Sequence, residues 1–191
     1  MHVGFGRWIK LVLGLALAAL SGCQIRSVSV TEMEEHQSLV NHSGLSALHI
    51  NDILKISCTP PANWEALPLT QNLLYAHQQW RSPDHHVGMG VAYMRTPIAF
   101  SPQMMIWFAK TEYTACSDGS GHLIAQWTDG LGRCWFEAEN DQYHILGYAM
   151  THGLDAWMVY SGYRVKTHPP DGEILLASRG ADTVTPLPGD Q

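Results

Sequence analysis

Glu137, Glu139 and Asp141 stand at alternate positions ahead of His144, a spacing that gathers carboxyl groups and an imidazole around one reversal of the chain. Such a set could bind a cation or carry acid–base chemistry. Strand parity puts Glu137 and Glu139 on one face, opposite Phe136. A solvated strand face beside a polar turn is the simpler reading, since the calcium-loop spacing D-x-[DN]-x-[DN]-G is missing. His85-His86 follows Ser82-Pro83-Asp84, and neighbours in an extended segment point to opposite sides, so a plain loop is expected there. With 11 scattered histidines and no C-x-x-C, neither a metal set nor a cofactor is expected. The chain contains no G-x-S-x-G, S-x-x-K, H-E-x-x-H or phosphate-cradling glycine loop, so no catalytic residue is assigned. An enzyme would need some of Ser117, Ser120, His122, His144 and His152 to converge in a pocket.

The aromatic residues Trp127, Trp135, Trp157, Tyr160 and Tyr163 form a second candidate set, suited to carbohydrate stacking or to a protein-binding surface. Alternation places Trp127 with Leu123 and Ala125 on an apolar face and Trp135 with Arg133 and Glu137 on the other. Trp135 is therefore the residue to examine for exposure, with burial under a helix the simpler outcome.

These residues need elements to position them. Residues 53–58, 72–80 and 87–95 read as strands, the first stopped by Thr59-Pro60-Pro61, because proline cannot donate to a ladder. Ser101-Pro102 is a helix-start signal, and Met104, Met105, Trp107 and Phe108 are expected to give that helix its buried face through about Tyr113. From His122 to Tyr163 four strands follow one another through Asp129-Gly130-Leu131-Gly132, Asn140-Asp141 and His152-Gly153, connections too short for parallel crossovers. Ile174, Ala177, Ala181 and Val184 then fall at helical spacing. The order β-β-β-α-β-β-β-β-α predicts an α+β domain with a mostly antiparallel sheet and helices packed on it.

The N-terminus carries Arg7 and Lys10, then the apolar run 11–20, shorter than the roughly 20 residues of a membrane-spanning helix, then Leu20-Ser21-Gly22-Cys23. This ending resembles the lipobox of bacterial lipoproteins, in which the signal is cut before the cysteine and the cysteine is acylated. The resemblance implies a signal peptide over 1–22, Cys23 as a lipidated N-terminus, and attachment to the cell envelope; Gln24 rather than Asp implies the periplasmic face of the outer membrane in a Gram-negative cell. Residues 23–48 then read as a polar tether, 49–185 as the single domain and 186–191 as a tail. Removing 1–22 takes away only Arg7 and Lys10, leaving 9 basic against 17 acidic residues, a formal charge of −8. That balance argues against nucleic acid and against electrostatic attraction to an anionic membrane.

Cys23 set aside, Cys58, Cys116 and Cys134 remain, so at most one bridge can form. Cys116 with Cys134 is the favoured disulfide in an oxidising compartment, with three unpaired buried thiols the alternative. The element order also resembles the PsbP-like α/β sandwich, whose bacterial members include lipoproteins of the DcrB and LpqN type. Residues 50–185 carry the resemblance, with Pro60-Pro61-Ala62-Asn63-Trp64 similar to the end of that group's first strand. It implies a noncatalytic domain that binds or assists another macromolecule. The expectation is a lipid-anchored binding or assembly module with a protein partner, and an envelope hydrolase is the competing class.

Overall fold

The computed structural model describes residues 44–72, 75–107 and 121–188. The lipobox, the tether up to residue 43, Phe108, Cys116, Ser117 and Ser120 lie outside them. The domain is built on an antiparallel sheet of eight strands: β3 (Glu65–Ala66), β4 (Thr70–Gln71), β5 (Tyr75–Arg81), β6 (Val87–Arg95), β7 (His122–Thr128), β8 (Cys134–Glu139), β9 (Tyr143–His152) and β10 (Asp155–Arg164). Its order is β3-β5-β6-β10-β9-β8-β7, with β4 also pairing β5. A smaller antiparallel sheet joins β1 (His49–Asn51), β2 (Ile56–Cys58) and β11 (Thr185–Pro186) in the order β1-β2-β11. Helical residues 102–107 (α1) precede β7, and α2 (Asp171–Asp182) follows β10 through a 3₁₀ turn at Val165–Thr167.

The α+β, sheet-dominated class and the antiparallel run β7–β10 agree with the sequence. The detail differs. The short strands β1, β3, β4 and β11 are additional, and residues 52–55 turn before β2 instead of belonging to it, with Lys55 at φ 52°. Residues 44–48, read as tether, are already tied to the domain: Ser46 N donates to Pro60 O and Ala62 N to Gly44 O, both at 2.8 Å.

Both faces of the central strands are buried. One face carries Tyr75, Ala92, Phe136, Ile145, Met158 and Tyr160 and packs on Phe100, Met105 and Ile106. The other carries Trp80, Met89, Val91, Tyr148, Trp157 and Val159 and packs on Ile174, Ala177 and Ala181 of α2 and on Leu54, Ile56 and Cys58. This is why β6, β9 and β10 read as near-continuous apolar runs. Ser101 caps α1, accepting from Met104 N at 3.2 Å, as its sequence predicts. Its apolar face is not the expected one: Met105 and Ile106 are buried, while Met104 and Trp107 are 42% and 61% exposed.

Glycines in the ladder let these layers close. A Cβ on Gly147 would stand 2.7 Å from Val159 O and 2.8 Å from the Phe136 ring, whereas one on Gly172 would meet nothing within 4 Å. Gly147→Ala should therefore cost about 1–3 kcal/mol by overpacking, and Gly172→Ala should be neutral or slightly stabilising. Urea denaturation of the two variants checks the contrast.

Candidate functional site

β7 forms an edge of the large sheet, and its sequence HLIAQWT holds no charged residue and no proline. It pairs with β8 as His122↔Glu139, Leu123↔Ala138, Ala125↔Glu137, Gln126↔Phe136 and Trp127↔Trp135, with a bulge between Leu123 and Ala125. The bulge moves Ala125 and Trp127 to the face opposite Leu123. Strict alternation had put Trp127 and Trp135 on opposite faces; they are cross-strand partners, stacked with centroids 5.8 Å apart and planes at 6°. Both are half-buried, whereas Trp157, Tyr160 and Tyr163 are core residues.

Asp129 organises this corner. Its Oδ1 accepts from Leu131 N and Arg133 N at 2.9 and 3.0 Å, and its Oδ2 from Arg133 Nε and Trp135 Nε1 at 2.6 and 2.8 Å. Burial alone would raise this carboxyl's pKa, but the Trp135 and Arg133 hydrogen bonds outweigh it and hold the group below the usual range. The Arg133 guanidinium lies over the Trp135 and Tyr148 rings, at 4.9 and 4.7 Å, and approaches Asp182 of α2 at 3.6 Å. A crevice of about one water's size opens between Trp135, Leu146, Ser161 and the α2 residues Ser178, Ala181 and Asp182.

The acidic hairpin is not the solvated face that its sequence suggests. His144 is 3% exposed and Glu137 6%. His144 Nε2 meets Glu137 Oε1 at 2.7 Å and Nδ1 meets Glu139 Oε2 at 3.0 Å, so both ring nitrogens face a carboxyl oxygen. Tyr163 stacks on the imidazole at 6.2 Å. Asp141 stays outside, exposed in the turn. Burial comes from the second layer over this face, which residue parity cannot reveal.

Of the remaining sequence candidates, His122 falls beside this pair in register and the others lie elsewhere. His122 is exposed at the start of β7, on the row of Glu139 and His144, and His152 is exposed at the far end of β9. His85, at φ 61°, reaches Glu65 at 3.5 Å, while His86 N bonds Ser82 Oγ and Asp84 Oδ1. Cys134 is buried and its Sγ accepts from Gln126 Nε2 at 3.4 Å; its expected partner Cys116 lies outside the described residues. Cys58 is also buried, which pushes its pKa up to about 12. Among the described residues no group of three or more His, Cys, Asp or Glu could hold a metal, and no helix is long and apolar enough to cross a membrane.

One polar row escaped the sequence reading. Tyr75, His77 and Gln79 alternate along β5 like a wet strand face, yet all are buried. His77 Nε2 lies 2.5 Å from Tyr160 Oη, which reaches across Gly90, while Tyr75 Oη and Gln79 Oε1 have no hydrogen-bond partner among the described residues. Burial lowers the His77 pKa from 6.5 to about 4.

No family model matches this chain, and no curated protein does. A crystal structure of a protein from Bacteroides thetaiotaomicron VPI-5482 is similar at a TM-score of 0.40 and 12% identity, over 74% of this chain and 48% of that one. The chain thus spans about half of that protein's length, and a likeness of this degree carries no argument about function.

His144→Ala leaves the buried Glu137 side chain without its hydrogen-bond partner and should cost about 1–3 kcal/mol, while Glu139→Gln, at a more open position, should cost about 1 kcal/mol or less. Chemical denaturation at neutral pH separates the two. For His77, the folded pKa lies below the unfolded one, so its neutral burial supports the fold fully above pH 6.5 and that support is lost as pH falls from 6.5 towards about 4. Denaturation across that window should show a shallower loss for His77→Gln than for the native chain.

Proposed function

We propose that this chain is a lipid-anchored protein of the bacterial cell envelope, attached through Cys23, whose domain is a noncatalytic binding or assembly module for a protein partner. The edge strand β7 carries the reading. Among the described residues no strand pairs with its outer side, and it lacks the lysine or proline that usually guards an edge. Within it Ile124 is 45% exposed, and the Trp127–Trp135 stack supplies rigid aromatic area of the kind that anchors protein interfaces. An extended segment of a partner would add to the sheet there by main-chain hydrogen bonds, with Ile124 and Trp127 giving side-chain selectivity. The opposite edge offers less, since β5 is already paired by β3 and β4.

The PsbP-like relation belongs to the same proposal: an antiparallel sheet covered by helices, delivered to the envelope by a lipidated cysteine, is the arrangement that the resemblance implies. Acidic charge after cleavage, −8 by formal count, supports a protein partner over nucleic acid.

Two measurements test the reading. Cys23→Ala should abolish acyl labelling and release the protein from membranes; its persistence in the membrane fraction would overturn the anchor. A photo-crosslinker at exposed Thr128 should give a discrete protein adduct in the envelope, and Ile124→Lys should remove that adduct while leaving stability within about 0.5 kcal/mol. An adduct indifferent to Ile124→Lys would sink the β7 interface.

A further inference from the structure

The register of the large sheet sorts its turns into two ends. Asp155 aligns with both His152 and Arg95, and Cys134 with Ala149, so the β9–β10 turn, the exit of β6 and the β7–β8 turn share one end. Lys55 joins them there, bonding Asp155 Oδ2 at 2.9 Å. The β5–β6 and β8–β9 turns lie at the other end, where Arg81 aligns with Gly88 and Glu139 with His144.

The two ends differ in what they offer to solvent. Each segment of the first end carries an exposed aliphatic residue: Leu131 is 80% exposed, Ile98 61%, and Leu154 and Ile53 41% each. The turns of the opposite end read Ser82-Pro83-Asp84-His85-His86 and Asn140-Asp141-Gln142, with no exposed large apolar residue. The apolar tips are also held in place. Leu131 N is fixed by Asp129, and Leu154 O accepts from Thr96 N at 2.7 Å and Thr96 Oγ1 at 2.9 Å.

We infer that this end is a lipid-docking surface, in which Ile53, Ile98, Leu131 and Leu154 enter the interfacial region of a bilayer. Asp129 is held by Arg133 and Asp155 by Lys55, while exposed Asp52 and Arg95 would face the polar headgroup layer. The chain as a whole is acidic, so contact with the bilayer is apolar and calls for no anionic lipid. Tethering supplies the rest. From Cys23 to Gly44 the chain cannot span more than about 70 Å even fully extended, which holds the domain close enough for a few aliphatic side chains to engage by effective concentration. Gly44 leads directly to β1, which runs to the Ile53 turn. The docked orientation would leave the β7 edge free along the side of the sheet. The inference rests on the anchor reading for what brings the domain to a membrane.

The test uses the full chain reconstituted in neutral phosphatidylcholine vesicles, compared with Ile98→Ser/Leu131→Ser/Leu154→Ser, all exposed positions. Amide exchange at residues 129–133 and 153–154 should be about tenfold or more slower in the native chain than in the variant, with residues 82–86 and 140–142 alike in both. Equal exchange at 129–133 and 153–154 in the two chains, or protection spread over both ends, would overturn the docking surface. Acyl labelling of Cys23 reads the anchor separately, so failure of the docking surface is distinguished from failure of the anchor.

Discussion

The three-strand ladder β6–β10–β9, covered on both faces, is the constraint from which the rest follows. Its strands must approach one another and two overlying layers at once, and glycine positions make that closure achievable. Gly90 lies under the Tyr160 ring, Gly147 against Phe136 and the Val159 carbonyl, and Gly162 against the His144 carbonyl. Each position replaces a side chain by close backbone packing, which ties register to layer spacing. A slip of one residue in β10 would exchange Trp157, Val159 and Tyr163 with Ala156, Met158 and Tyr160 between the two cores.

Burial on both faces also governs the polar residues. A carboxylate or imidazole caught beneath a layer has to be matched, and His144 with Glu137 and Glu139, Arg133 with Asp129 and Asp182, and Ser161 with Ser178 at 3.1 Å are such matches. These contacts join α2 and the β8–β9 hairpin to the sheet by direction-specific bonds, where apolar packing alone would tolerate sliding. Tyr148 adds another, donating to Ala181 O at 2.9 Å from within the core. His77 follows the same logic by remaining neutral, since desolvation outweighs what Tyr160 can return to a charged ring.

Outside this ladder the molecule is uneven, and its candidate surfaces sit where burial runs out. Toward β7 the pattern of exposure alternates along the strand, leaving both faces partly open at the last strand of the sheet among the described residues. Along the strand axis the asymmetry lies between ends, with aliphatic tips on one side and polar turns on the other. Both features concern exposed apolar groups on rigid supports, and rigidity lowers the entropy lost when a partner covers them.

Sequence periodicity by itself determined the sheet-dominated α+β class, the antiparallel run through β7–β10, the capped start at Ser101 and the buried stripe Ile174, Ala177 and Ala181, because each depends on local backbone preference and side-chain parity, but not the short strands β1, β3, β4 and β11. It also carried Leu20-Ser21-Gly22-Cys23, a short contiguous motif that needs no fold to be read. Tertiary structure alone decided which strand faces are dry. Glu137, His144, Tyr75, His77 and Gln79 have the spacing of wet faces and lie inside, since the covering layer comes from segments remote in sequence. It decided too that Trp127 stacks on Trp135, because a single bulge reverses parity and leaves no compositional mark, and that Met104 and Trp107 face outward, because a helix's buried side is set by what it rests on.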